Sequence, residues 1–92
     1  MENRLSPMRE LLGEMLLQAN DLQPALREFE ASLRINPNRY RSLAGAASAA
    51  ERSGDRPAAR RNYEALLRLT ADADTQRPAM EAARRFLAAS AN

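Results

Sequence analysis

Two carboxylates one helical turn apart, Glu10 and Glu14, are the side chains of this sequence best spaced to do chemistry together. At i and i+4 they share a helix face, and paired carboxylates serve acid–base catalysis or the binding of a hard cation. Neither use is completed by the rest of the chain. The sequence contains no histidine and no cysteine, which excludes Ser-His and Cys-His nucleophiles, thiol chemistry and nearly every zinc site. No third ligand accompanies the two glutamates. The expectation is a protein that is not an enzyme and uses no metal or cofactor. Two readings of Glu10 and Glu14 stay open: a solvated face whose repulsion is relieved by Arg9 or Arg41, or an acidic wall that receives Arg or Lys of a partner.

The basic residues raise a second chemistry. There are 14, all arginine, against 12 acidic residues, for a net charge of only +2. The pairs Arg60-Arg61 and Arg84-Arg85, with Arg27, Arg34 and Arg68, invite nucleic-acid binding. Glu30, however, stands four before Arg34, Glu64 four before Arg68, and Arg60 four before Glu64, which is the spacing of intrahelical ion pairs. Phe29 and Phe86 fall on apolar stripes, so no base-stacking platform is evident. No nucleic acid is expected as a partner. No membrane is expected either, since no segment approaches the roughly 18 to 20 apolar residues needed to span one. The run from Leu11 to Leu17 is broken by Gly13 and Glu14 and does not read as a signal peptide. A cytoplasmic location follows by default, and the arginine and alanine bias reads as bacterial, from a GC-rich genome.

The elements that position these residues are helical. Alanine (19) and leucine (13) dominate the apolar set of 92 residues, valine is absent, and isoleucine occurs once. Without β-branched residues a sheet has little to build with, so the fold is all-α. An internal repeat organises it. Asp21 to Ile35 laid over Asp55 to Leu69, at an offset of 34, gives seven identities in fifteen positions, among them Asp21/Asp55, Ala25/Ala59, Arg27/Arg61 and Arg34/Arg68. Phe29 falls over Tyr63. Each period holds two helices. Ser6 N-caps the first, with Pro7 at its first position. Asn20-Asp21 breaks the chain, Asp21 caps a helix running to about Ile35, and Asn36-Pro37 closes it. The second unit has a helix from about Asn38 to Arg52, a turn at Ser53-Gly54, a cap at Asp55 and a helix to about Thr70. A last helix of about Arg77 to Ala89 follows a polar linker and is capped by Asp74 or Thr75. Its stripe is Met80, Ala83, Phe86 and Leu87, with Glu81, Arg84 and Arg85 outside it. Residues 1–5 read as a frayed end.

The 34-residue period and these positions resemble the tetratricopeptide repeat (TPR) family. The first unit, 6–39, supplies Leu12-Gly13, Leu16, Ala25, Phe29 and Pro37; the second, 40–73, supplies Leu43, Ala46-Ala47, Ala50, Gly54, Ala59 and Tyr63. Arg9, Ser32 and Ala71 depart from the pattern. The resemblance implies antiparallel helix-turn-helix repeats stacked as a short right-handed solenoid of about five helices, with the helix near 77–90 as its cap. It further implies a non-catalytic interaction module whose concave groove holds a peptide or helical segment of a partner protein. Carried over by position, the groove is lined by Glu10, Glu14 and Leu17 and by Arg41, Ala44, Ser48 and Arg52, with Glu81 and Arg85 as possible additions. The family's carboxylate clamp for chaperone tails is not expected, because Glu10 and Glu14 have the wrong charge for it.

The first helix carries more apolar residues than one partner helix can bury, and Leu5, Met8 and Leu12 are the candidates for an exposed patch. Either this end packs on a second copy, giving a homodimer, or the natural protein continues upstream with more repeats. Tyr63 is expected in the core, while Tyr40, at the boundary between units, is either half-buried between them or an aromatic rim for a ligand, the first reading being favoured.

Overall fold

The computed structural model describes residues 5–71 and 78–90. The described residues form five helices: α1 (Leu5–Gln18), α2 (Leu22–Ile35), α3 (Tyr40–Ser53), α4 (Arg56–Leu69) and α5 (Pro78–Ser90). The all-α expectation holds, and each helix packs against the next in an arrangement consistent with helical repeats. α1 also touches α3, so the first helices of the two units are neighbours.

The turns inside the two units are built alike. Asn20 has φ 61° and Gly54 has φ 85°, positions 34 apart in the chain. The N–H of Asp21 reaches the Leu16 carbonyl at 2.8 Å, and that of Asp55 reaches Ala50 at 2.8 Å. The N–H of Asn20 and of Gly54 bond to Leu17 (3.0 Å) and Glu51 (3.1 Å). Both turns are therefore Schellman closures, with the two residue types that best tolerate the left-handed conformation at the critical position. The caps that follow differ. Asp55 accepts from the Ala58 N–H at 3.2 Å, whereas the Asp21 side chain makes no cap bond. The expected cap at Asp21 is thus positional only.

Three boundary expectations are also corrected. Leu5 lies in α1, and Ser6 lies inside that helix, where its hydroxyl faces α2 instead of capping. α3 begins at Tyr40, after Arg39 at its N-cap, not at Asn38. The caps expected at Asp74 or Thr75, and most of the frayed segment 1–5, lie outside the described residues.

The core depends on small residues. Ala25, Ala46, Ala47, Ala49, Ala50 and Ala59 are fully buried, which lets the helix backbones approach closely. Phe29 of α2 is the large side chain that wedges the first three helices together. Its ring lies against Gly13 of α1 and, more tightly, against Gly45 of α3. Gly13 was legible as a small contact residue; Gly45, the tighter of the two, was not singled out. In the second unit Tyr63 is buried as expected and its ring lies 5.2 Å from Phe86 of α5, tilted by 40°. The Tyr63 hydroxyl donates to Glu51 at 2.6 Å, and the Arg56 guanidinium stacks 5.2 Å from the Phe86 centroid. Burial, and then the bond to Glu51, push the Tyr63 phenol far above its ordinary pKa. Met80, Ala83 and Phe86 are buried and Leu87 half-buried, the stripe expected of α5. Tyr40 is half-buried against the core.

Candidate functional site

The two glutamates have different fates. Glu14 is partly exposed and is held by Arg41 through two bonds, Nε to Oε2 at 3.1 Å and Nη2 to Oε1 at 2.6 Å. Glu10 is only 3% exposed. Arg39 grips its carboxylate in a fork, with Nε to Oε2 at 3.0 Å and Nη2 to Oε1 at 2.9 Å. The Ser42 hydroxyl donates to Oε2 at 2.7 Å, and Arg41 stands 3.9 Å from Oε1. The reading of Glu10 as an open groove wall is therefore corrected. Its carboxylate is a buried link between α1 and α3.

Behind Glu10 runs a chain of serines. Ser42 lies 2.8 Å from Ser32, and Ser32 lies 2.7 Å from Ser6, oxygen to oxygen. A carboxylate can only accept, so the Ser42 proton is committed to Glu10. Toward Ser32, Ser42 can then only accept, while Ser32 and Ser6 each have a second acceptor, the Ser6 carbonyl at 3.1 Å and the Ser32 carbonyl at 3.2 Å, so the three hydroxyls and the anion form one connected network across α1, α2 and α3. Burial alone raises the Glu10 pKa. The bonds from Arg39 and Ser42, with the charges of Arg39 and Arg41, outweigh that and hold it below the ordinary carboxylate value. All four polar groups are buried, and no buried side-chain polar atom among the described residues lacks a partner. The signal for this seam was present in the sequence as Ser6, Ser32 and Ser42 at otherwise apolar places of the repeat, yet Ser6 read as a cap and Ser32 as a departure.

Of the other groove candidates, the two arginines of α3 reach to residues of α1 and the turn after it. Arg41 and Arg52 are exposed, Arg52 donating to Asn20 at 2.8 Å, while Leu17, Ala44 and Ser48 are half-buried. None of these side chains lines a principal cleft. One cleft of about 480 Å³ lies between α2 and α4, and another of about 400 Å³ lies beside Glu51, Arg85 and Phe86. A third, of about 250 Å³, is lined by Leu5, Met8, Arg9 and Leu12. Glu81 is exposed on α5, the helix that packs against α4.

One of the pairs expected from spacing is replaced by a pair between helices. Glu30 bonds to Arg61 of α4 at 3.2 Å instead of to Arg34 of its own helix, and Arg9 bonds to Glu28 of α2 at 3.0 Å. These pairs tie neighbouring helices together.

The largest uncovered apolar surface is on α1. Leu5 (55%), Met8 (64%), Leu11 (59%), Leu12 (43%) and Met15 (60%) are all exposed, so the expected patch is present and extends to Leu11 and Met15. The repeat explains its position. Adding 34 maps Met8, Leu11, Leu12 and Met15 onto Ser42, Gly45, Ala46 and Ala49 of α3. There Ser42 bonds to Ser32 and Gly45 abuts Phe29, both on α2, and Ala46 and Ala49 are fully buried. The bare face of α1 is thus the counterpart of the α3 face that another helix covers. No helix of the described residues is long and apolar enough to cross a membrane. Comparison with protein-family models, with curated proteins and with solved structures finds no match.

Proposed function

We propose that this chain is a non-catalytic, TPR-like interaction module that works by helix stacking through α1, and that the partner on that face is a second copy of the chain. The observation that carries the reading is the bare α1 face at positions whose repeat counterparts are covered. Five residues exposed to this extent make up about 500 Å² per copy, at the upper end for a monomer's apolar patch. Two copies together bury about 1,000 Å², the lower bound of a specific interface.

The shape of the face favours α1 against α1. A helix shaped like α2 does not fit as α2 fits on α3, because Leu11 stands where Gly45 admits the Phe29 ring. Long, flexible Met side chains can instead repack against a like row on a second copy. The test is absolute mass by light scattering over a wide dilution range, for the native chain and for Leu11→Glu with Met15→Glu. The native chain should approach twice 10.2 kDa at high concentration, and the exposed-site variant should stay at 10.2 kDa with unchanged helicity. A native mass of 10.2 kDa at every concentration would sink the self-association reading.

A second reading keeps the α1–α3 side as a peptide groove. It is favoured by the accessible heads of Arg41 and Arg52 beside half-buried Ala44 and Ser48. Glu14→Lys and Arg52→Glu test it without disturbing the buried Glu10, and a partner peptide that ignores both changes does not use this surface.

A further inference from the structure

The cleft of about 480 Å³ between α2 and α4 shares no lining residue with the expected groove, and it joins charge to an apolar floor. Its floor includes Leu33, half-buried, and Leu43, buried, and its rim carries Arg34, Arg61 and Arg68 against the single carboxylate of Glu30. We propose that this cleft binds an acidic peptide segment that lays an aliphatic side chain on Leu33 and Leu43 while its carboxylates meet the arginines.

Three features of the cleft argue for that occupant. The charge is unbalanced, three guanidiniums to one carboxylate. The Glu30–Arg61 pair is exposed, at 65% and 32%, and such pairs contribute little, so a peptide carboxylate exchanges into it readily. Arg34 and Arg68 occupy the last turns of α2 and α4, where a cation also suits the helix C-terminus. That local role explains each arginine singly and leaves their convergence with Arg61 around an apolar floor to be explained. The fork of a guanidinium matches a carboxylate in two-point contact. Nucleic acid is the less suited polyanion, since no aromatic side chain lines the cleft to stack a base. The volume is that of a ligand-sized site, enough for a short segment and not for a folded domain.

The experiment is fluorescence anisotropy of the full chain with a fluorescein-labelled peptide in which glutamates flank a central Leu-Leu. A control peptide has Ala-Ala at the centre, and a single-stranded oligonucleotide serves as the rival probe. The leucine peptide should bind at low salt, and about 0.5 M salt should weaken it. The double variant Arg34→Gln, Arg68→Gln should lose roughly fivefold to tenfold in affinity, the size expected for two exposed charge contacts. The Ala-Ala peptide should bind more weakly than the leucine peptide, and Leu11→Glu with Met15→Glu should bind as the native chain does. The arginines are exposed, so circular dichroism should show both variants folded. No binding of the leucine peptide, undiminished binding to the Arg34→Gln, Arg68→Gln variant, or tighter binding of the oligonucleotide would each overturn the proposal.

Discussion

Replacing Gly45 with alanine isolates the contact on which the stacking of α1, α2 and α3 depends. A Cβ at position 45 would lie 2.3, 2.4 and 2.7 Å from Cζ, Cε1 and Cε2 of the Phe29 ring. Ordinary carbon–carbon contact is about 3.5–4.0 Å, so the ring has to retreat by roughly 1 Å or more. The retreat is obstructed, because Phe29 is fully buried and Gly13 of α1 also lies against the ring. Overpacking of this kind costs about 1–3 kcal/mol. Against it stands the gain from removing a helix-interior glycine, about 0.5–1 kcal/mol. The net expectation is a loss of about 1 kcal/mol, which lowers Tm by roughly 4–8 °C in a domain of this size.

Gly13→Ala is the internal control. Its Cβ would meet the same ring at 3.0 Å, so the strain is smaller and the helix gain offsets much of it, giving a change near zero. Phe29→Leu should relieve the clash, so that Gly45→Ala costs less in that background by about 1 kcal/mol. Urea unfolding followed by circular dichroism measures the native chain and the four variants at constant m-value. If Gly45→Ala costs no more than Gly13→Ala does, and shows no coupling to Phe29→Leu, the wedge argument is wrong.

Three further outcomes follow from the buried seam and from the caps. Glu10→Ala leaves Ser42 and Arg39 without their acceptor; because Arg39 keeps 30% exposure the loss should be about 1–3 kcal/mol, below that of a fully buried pair. Glu10 has its pKa lowered by folding, so its charge-dependent stabilisation is complete above the unfolded value near about 4.3 and fades as pH falls through the lower folded value. Thermal melts across this acid range should therefore show a smaller acid loss in Glu10→Gln than in the native chain. Asp55→Ala should cost about 1 kcal/mol by removing the bond to the Ala58 N–H, while Asp21→Ala at the matched position should be nearly silent; paired urea midpoints check the difference.

Much of the fold could be read from the chain because its determinants are local. The apolar spacing of three to four residues, the Asn20 and Gly54 turns and the offset of 34 all involve residues close in sequence or copies of the same local pattern. They were enough to place five helices and to mark Phe29, Tyr63 and the α5 stripe as core. Boundaries went wrong where a residue type has two uses: Ser6 suits a helix cap and also a buried hydrogen bond, and only its distance to Ser32 separates them.

What decided the candidate site was the rotation and spacing of helices far apart in sequence. Glu10 and Glu14 share one face by helix geometry, yet the α1–α3 contact buries the first and leaves the second partly in water. Glu30 had a suitable arginine four residues away, but α4 brings Arg61 within 3.2 Å. The exposed row on α1 has the composition of a core face. The sequence determined that these residues are apolar and aligned, because alignment follows from 3.6 residues per turn. Only the tertiary structure determined that nothing among the described residues covers them, because burial is a property of neighbouring helices and not of the helix that carries the side chains.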